Sequence, residues 1–267
     1  MQPTAKEDPT ALIEVSRDGF IATVVLSRPH KLNALTKPMW QGLGETIDAL
    51  SADDDVRCIV VRGAGEKAFS PGNDISEFET ERSNREQAIA YGHIMHTTAR
   101  AFEQCRHPLV AQIHGICVGG GLEIASLCDL RICGEGSRFG APIKNLGLVM
   151  AYPEMTPLVR LAGADVALEI LLEGRIFDAR EARDKRLVTR VVPDADVARE
   201  ARETAQRIAD GAPLVARWHK AFARRLRAGG PLSEAEYLEC FDCFDTEDFR
   251  IGYRAFLAKT KPQFVGR

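Results

Sequence analysis

The chain has 267 residues, of which 45% are hydrophobic and 27% charged, with a formal net charge of -3 at pH 7. This ordinary globular composition, with acidic and basic residues interspersed, argues against nucleic acid or an anionic membrane surface as a main partner. Residues 1–15 do not resemble a signal peptide, no apolar run is long enough to span a membrane, and the seven cysteines are scattered. We therefore expect a cytoplasmic protein with reduced thiols and no membrane segment.

The first half of the chain alternates strand-like and helix-like runs. A turn at Asp18-Gly19 predicts a hairpin, and Thr36 is suited to cap a helix that has Pro38 in its first turn. The predicted elements are a hairpin over 11–29, a helix over 37–50, a strand over 56–63, a helix over 84–105, a strand over 108–115, a helix over 122–129 and a strand over 130–134. Such alternation indicates an α/β fold with βαβ units.

The second half of the chain is mostly helical in pattern. Helical patterns cover 156–174, 178–187, 194–211, 213–229 and 231–259, and only 188–192 is strand-like. The change of character near Gly211 predicts an α/β core over residues 1–210 and a C-terminal helical region over residues 211–267.

Two glycine-containing loops are candidates for binding an anion. The first lies in HGICVGGGLEIASLCD (114–129), where three glycines open a helix whose first N–H groups have no internal acceptor. It lacks both G-x-G-x-x-G and G-K-[ST], so it is not a nucleotide fingerprint. The second is KAFSPGNDISEF (67–78). Backbone donors from two loops can form an oxyanion hole, although each cluster alone is also consistent with a tight turn.

Five segments of the chain, in this order and spacing, resemble the crotonase superfamily, also called the enoyl-CoA hydratase/isomerase family. They are LSRPHKLNALTKPM (26–39), GAGEKAFSPGNDISEF (63–78), PLVAQIHGICVGGGLEIASLCDLRIC (108–133), FGAPIKNLGL (139–148) and ARDKRLVTRVV (182–192). The resemblance implies a ClpP/crotonase-like spiral of ββα units with a C-terminal helical trimerisation region. It also implies a homotrimer or a hexamer built as a dimer of trimers.

The resemblance implies an acyl-CoA thioester as substrate and an enolate as intermediate. The thioester oxygen would accept hydrogen bonds from the backbone N–H groups of Asn73 and Gly120. No metal and no cofactor are implied, since coenzyme A is part of the substrate. The residues implied to bind the CoA part are Lys31, Leu32, Ala34, Asp74, Ile75 and Ser76, together with Phe256 and Lys259 from a neighbouring subunit.

Hydratases of this family use two glutamates, and the first corresponds to Glu123. We expect burial to raise the pKa of this carboxyl. The position of the second glutamate is occupied by Ile143, and LVMAYPEMTP (148–157) replaces a glycine-rich loop. A downstream side chain, Glu154 or Tyr152, can reach the site instead.

The departure at Ile143 leaves the reaction open. Hydration of a 2-enoyl-CoA, a lyase reaction of fatty acid metabolism, is the first expectation. The alternatives are an enoyl-CoA isomerase, an acyl-CoA decarboxylase or hydrolase, and a weakly active CoA-ester binding protein recruited to RNA or protein partners. The acyl chain is not predicted, and the residues expected to line its pocket are His93, Met95, Tyr152 and Met155.

Overall fold

Six strands form the main sheet of the computed structural model, which describes residues 12–267. In spatial order they are Ile13–Asp18 (β1), Ile21–Leu26 (β2), Cys58–Gly63 (β3), Leu109–Ile113 (β5), Leu130–Gly134 (β7) and Arg190–Val192 (β10). The β1–β2 hairpin is antiparallel and confirms the prediction, with Gly19 in its loop at φ 57°. The other neighbours in this sheet are parallel.

A second, smaller sheet was not predicted from the sequence. Its strands, in spatial order, are Ala68–Ser70 (β4), Ile116–Val118 (β6), Arg138–Gly140 (β8) and Phe177–Asp178 (β9). In the chain, β4 follows β3, β6 follows β5 and β8 follows β7, so each turn adds one strand to each sheet. This is a repeated ββα unit, and it sets the first three strands of the small sheet side by side and parallel.

Eleven α-helices are present in residues 12–267. They are Lys37–Ala52 (α1), Phe78–Glu81 (α2), Arg85–Gln104 (α3), Gly120–Leu127 (α4), Tyr152–Ala162 (α5), Ala164–Glu173 (α6), Ala179–Asp184 (α7), Val197–Ala209 (α8), Pro213–Ala228 (α9), Glu234–Leu238 (α10) and Glu247–Ala258 (α11). The predicted cap of α1 is confirmed, because the Thr36 side chain accepts a hydrogen bond from the Met39 amide. The continuous pattern over 156–174 is interrupted at Gly163, where φ is 90°.

The main sheet is covered on both faces. One face packs on a large core whose biggest fully buried side chains are Trp40, Tyr91, Phe69, Phe102 and Phe139. The other face packs against the alanines of α8, which contact Val60, Val110 and Ile132. Burial of parallel strands on both faces explains why their sequences are continuously apolar.

Helix α9 of the C-terminal region is joined to the core by polar contacts of a buried lysine. Lys220 of α9 is 8% exposed, and its Nζ lies 2.6 Å from Asp129 Oδ2 and 2.5 Å from the carbonyl oxygen of His107. The predicted boundary between the core and the C-terminal region, at residues 210 and 211, falls in the link between α8 and α9. This division stays a prediction, and so does the trimer.

None of the helices described in residues 12–267 is both long and apolar enough to span a membrane.

Asn33 holds the turn between β2 and α1 against the start of the small sheet. It is fully buried, with φ 63°. Its Nδ2 donates to the carbonyl oxygens of Ala64, at 3.1 Å, and Ala68, at 2.8 Å, and its Oδ1 accepts from the Arg28 amide at 3.1 Å. One side chain therefore fixes the position of the segment that contains the predicted CoA-binding residues Lys31 to Ala34.

Replacement of Asn33 with Ala should lower the free energy of unfolding by about 3 to 4 kcal/mol. Three hydrogen bonds are lost at about 1 kcal/mol each, and the left-handed backbone costs Ala about 1 kcal/mol more. Guanidinium titration followed by circular dichroism measures the change. The matched control is Asn145→Ala, which changes an exposed residue and should stay within about 0.5 kcal/mol of wild type. A loss below about 1 kcal/mol for Asn33→Ala would contradict this role.

Candidate active site

The two glycine-containing loops touch each other at the end of the small sheet. A methyl group built on Gly72 would lie 2.6 Å from the Gly120 nitrogen, and one on Gly121 would lie 2.1 Å from the Ser70 carbonyl oxygen. Gly119 has φ 54°, a left-handed conformation that glycine adopts without strain. The missing side chains therefore let the backbones of two loops come into direct contact.

The structure brings together the two backbone amides implied to form the oxyanion hole. Asn73 follows Gly72 directly, and Gly120 is the first residue of α4. The loop is held by Leu35, whose amide donates to the Gly72 carbonyl and whose carbonyl accepts from the Asp74 amide, both at 2.8 Å. Within residues 12–267, neither the Asn73 amide nor the Gly120 amide donates a hydrogen bond to the protein. Two donors on adjoining loops thus remain available to a ligand.

Trp40 supports both of these loops, and sequence reasoning missed it. Its side chain is fully buried, and its Nε1 donates to Asn73 Oδ1 at 2.6 Å. A methyl group built on Gly120 would lie 2.9 Å from Trp40 Cζ2, so the indole packs directly against the start of α4. The available signal was a Trp in the first turn of an amphipathic helix, since a buried indole N–H usually requires a polar partner.

Glu123 lies in the first turn of α4, one turn after the Gly120 amide. The residue is 4% exposed, and its Oε1 has no hydrogen-bond partner in the described part of the chain. Burial raises the pKa of Glu123 well above its usual value, as expected. The charge of Glu154 raises it further, and the positive charge of Arg82 opposes both effects. Burial without a hydrogen bond at Oε1 favours the protonated form of this carboxyl.

The structure brings Glu154, and not Tyr152, towards Glu123. Tyr152 is 90% exposed, whereas the Glu154 side chain is only 13% exposed. Glu154 Oε2 accepts from the Ala151 amide at 3.2 Å, and Oε1 lies 3.4 Å from His96 Nε2. Helix α5, which carries Glu154, packs against α4 and α3. Glu154 is therefore near enough for its charge to act on the Glu123 carboxyl.

Ile143 and the four residues expected to line the acyl pocket differ in burial. Ile143 is half-buried in a 3-10 helix over Pro142–Leu146. Of the four predicted pocket residues, Met95 is buried and Met155 half-buried, whereas His93 and Tyr152 are exposed. The buried Met95 also contacts the oxyanion loop, since its Sδ lies 3.8 Å from Asn73 Nδ2.

The segments implied to bind CoA are tied to each other by an ion pair. Arg28 Nη1 lies 2.6 Å from Asp74 Oδ2, and both side chains are nearly buried. Burial alone would raise the pKa of Asp74, but hydrogen bonds from Arg28 and Ser76 outweigh it and lower the pKa to about 2. The Asp74 carboxylate is thus already bonded to Arg28 and Ser76 within the protein.

The remaining predicted CoA-binding residues of these segments are placed at the surface or just beneath it. Lys31, Leu32, Ile75 and Ser76 are exposed, and Ala34 is 8% exposed.

Known proteins match the chain over almost its whole length. The model of the enoyl-CoA hydratase/isomerase family matches residues 16–267. The chain is a member of this family. A crystal structure of an enoyl-CoA hydratase/carnithine racemase from Magnetospirillum magneticum has a TM-score of 0.94 and 51% identity, covering 96% of each chain. A short-chain-enoyl-CoA hydratase of Clostridium acetobutylicum is 32% identical over 92% of this chain and 95% of its own length.

A further relative and the solved structures agree with this assignment. A probable enoyl-CoA hydratase of Mycobacterium bovis is 34% identical over 96% of this chain and 98% of its own length. The enoyl-CoA hydratase of Bacillus anthracis has a TM-score of 0.86 at 28% identity, covering 96% of this chain and 100% of its own. These matches confirm the family and the crotonase fold that the sequence motifs indicated.

Two predicted binding residues of this family member lie on the last helix. Phe256 of α11 is 83% exposed, and Lys259 is exposed at the end of that helix, with φ 57°. Neither side chain makes a hydrogen bond or ion pair with the rest of residues 12–267. The resemblance assigns both residues to the site of a neighbouring subunit, and this assignment stays a prediction.

Replacement of Glu123 with Gln should stabilise the fold near neutral pH. Because the pKa of Glu123 is raised, the folded protein holds a proton that the unfolded chain releases above about pH 4.3. The stabilisation that this bound proton gives to the fold is thus fully present below that pH. It is lost as the pH rises through the pKa of Glu123 in the folded protein. Thermal melts should show a higher Tm for the variant at about pH 8, with about 2–4 °C for each kcal/mol, and no gain near pH 4.

The matched control for this experiment is Glu135→Gln, which makes the same change at an exposed position. It should shift the Tm by the same small amount at both pH values. A Glu123→Gln variant that is less stable than wild type at pH 8, by more than it is at pH 4, would contradict a raised pKa.

Proposed function

We propose that the protein is an enoyl-CoA hydratase, which adds water across the 2,3 double bond of an acyl-CoA thioester. One observation carries the proposal. Glu123, buried and without a hydrogen-bond partner at Oε1, lies one turn from the free Gly120 amide, and the carboxyl of Glu154 is close enough to act on its charge. Glu154 is thus proposed to replace the acid missing at Ile143.

The amides of Asn73 and Gly120 are proposed to bind the thioester oxygen. Negative charge develops on this oxygen when a nucleophile attacks C3 and the electrons move into an enolate. Donors fixed in advance stabilise that charge without reorganisation, and each is worth about 2.7–4 kcal/mol in comparable sites. The Trp40 side chain serves this step by fixing Asn73.

The two carboxyls divide the proton transfers between them. Glu123, whose buried carboxyl retains its proton, delivers it to C2. Glu154, whose Oε2 accepts from the Ala151 amide and whose Oε1 lies 3.4 Å from His96 Nε2, accepts a proton from the water. The water oxygen bonds to C3, one water proton passes to Glu154, and the proton of Glu123 passes to C2. Release of the proton from Glu154 to solvent and uptake of one by Glu123 then restore the enzyme, so the turnover is balanced.

The CoA part of the substrate is proposed to bind along the segments of Lys31 to Ala34 and Asp74 to Ser76. The first segment is fixed by Asn33 and joined to the second by the Arg28–Asp74 pair. No cofactor beyond the coenzyme A of the substrate is proposed. Cytoplasmic location and a trimeric assembly, which would supply Phe256 and Lys259 from a neighbour, belong to the same proposal.

A second candidate is double-bond isomerisation, and Ile143 is the observation that favours it. An apolar side chain there makes the site less suited to holding water. Glu123 alone can then take a proton from one carbon of a 3-enoyl-CoA and return it to another. The two candidates differ in their need for Glu154.

Replacement of Glu154 or of Glu123 with Gln should each lower hydration of a 2-enoyl-CoA at least about 100-fold, since one proton transfer is lost. The assay mixes purified protein with 2-enoyl-, 3-enoyl- and malonyl-type CoA esters in D₂O and identifies products by mass spectrometry. Binding of a saturated acyl-CoA, measured by calorimetry, should change less than about threefold for both variants.

The Glu135→Gln variant, exposed and outside the site, is the matched control and should keep full turnover. Conversion of 3-enoyl esters that survives Glu154→Gln but not Glu123→Gln would replace hydration with isomerisation. Absence of both turnover and α-proton exchange with every ester would overturn the enzymatic proposal.

A further inference from the structure

Arg82, at the end of α2, has a half-buried guanidinium with an unusual environment. It stacks 4.8 Å from the ring centre of Phe78 and 4.9 Å from that of Tyr91. Among the buried and half-buried arginines of residues 12–267, Arg82 is the one whose guanidinium makes no hydrogen bond or ion pair with the protein. The five N–H donors of its guanidinium therefore have no acceptor in the described part of the chain.

The position of Arg82 is next to the candidate site. Tyr91 is fully buried on α3, and Met95 lies one turn further along the same face. Met95 in turn contacts the Asn73 side chain of the oxyanion loop. Tyr91, on which Arg82 stacks, thus lies about 6 Å along α3 from Met95, the residue that contacts the oxyanion loop. Its charge also acts on the buried carboxyl of Glu123.

The carboxylates near Arg82 are engaged elsewhere. Glu77 Oε2 accepts from the Lys37 amide at 2.9 Å and from the Tyr91 hydroxyl at 3.0 Å. Glu81 pairs with the Lys37 ammonium at 2.8 Å. A half-buried guanidinium that has lost part of its hydration and lacks a close anion gains free energy from any carboxylate that reaches it, because the two can pair through two parallel hydrogen bonds.

We propose that Arg82 binds a carboxylate carried by the acyl chain, so that the preferred substrates are CoA monoesters of unsaturated dicarboxylic acids. This inference rests on the proposed function, because it names the substrate class of the same site. The acyl chain is favoured over the CoA phosphates as the source of the anion. Arg82 stacks on Tyr91 of α3, and its charge acts on Glu123, which is proposed to react with the acyl carbons. Within residues 12–267 its guanidinium makes no hydrogen bond or ion pair with the proposed CoA-binding residues Lys31 to Ala34 or Asp74 to Ser76.

Binding of unreactive saturated esters tests the inference independently of turnover. Glutaryl-CoA and pentanoyl-CoA have acyl chains of equal length and differ by the terminal carboxylate. Calorimetry should show that the wild-type protein binds glutaryl-CoA at least about 10-fold more tightly, as a hydrogen-bonded ion pair allows. Arg82→Met should reduce this ratio to about one, and Arg82→Lys should keep part of it.

The matched control is Arg85→Met, which removes the same charge from an exposed position three residues away and should leave the ratio unchanged. Free CoA should bind wild type and Arg82→Met within about twofold, and melting curves establish that both are folded. Equal binding of the two esters by wild type, or loss of free CoA binding in both Arg82 variants, would overturn the assignment.

Turnover separates this inference from the proposed function. With the monoester of trans-pent-2-enedioic acid and crotonyl-CoA, the ratio of the two kcat/KM values should fall at least about 10-fold in Arg82→Met. A preserved binding preference without turnover of any ester supports the role of Arg82 and contradicts only the hydratase proposal. Turnover with an unchanged ratio in Arg82→Met overturns the role of Arg82 and leaves the hydratase proposal intact.

Discussion

The direct contact between the backbones of Gly72 and Gly120 is the constraint on which the site depends. Each loop leaves a short strand of the small sheet, and the parallel pairing of β4 with β6 sets these strands side by side. Side chains at the contact would push the loops apart, because even a methyl group would overlap the neighbouring backbone. The glycines therefore determine the distance between the Asn73 and Gly120 amides. Hydrogen bonds from Trp40 and Leu35 fix the loop that contains Asn73.

The sequence predicted those features that depend on local signals. The β1–β2 hairpin has its glycine in the loop, α1 begins at the Thr36 cap, and α3 was recognised by its apolar spacing. The glycine loops were singled out because unpaired N–H groups at the start of a helix depend only on neighbouring residues, whereas the role of Glu123 was implied by the family resemblance. The family motifs then joined these pieces into the correct fold.

The features that the sequence did not predict depend on long-range packing. The strands of the small sheet have two or three residues each, too few for a periodicity to appear. The approach of Glu154 to Glu123 requires α5 to pack on α4, and the isolation of Arg82 is visible only once the partners of Glu77 and Glu81 are known. A spacing pattern contains none of this information.

The Arg28–Asp74 pair has a consequence for how binding energy is used. It joins the start of the segment of Lys31 to Ala34, proposed to bind the CoA part, to Asp74. The residue before Asp74 is Asn73, whose amide is proposed to bind the thioester oxygen. Binding of the CoA part can then affect the position of the Asn73 amide through this short, nearly buried ion pair. Under the proposed function, the adenosine portion of the substrate would contribute to kcat as well as to affinity, although it lies far from the carbons that react.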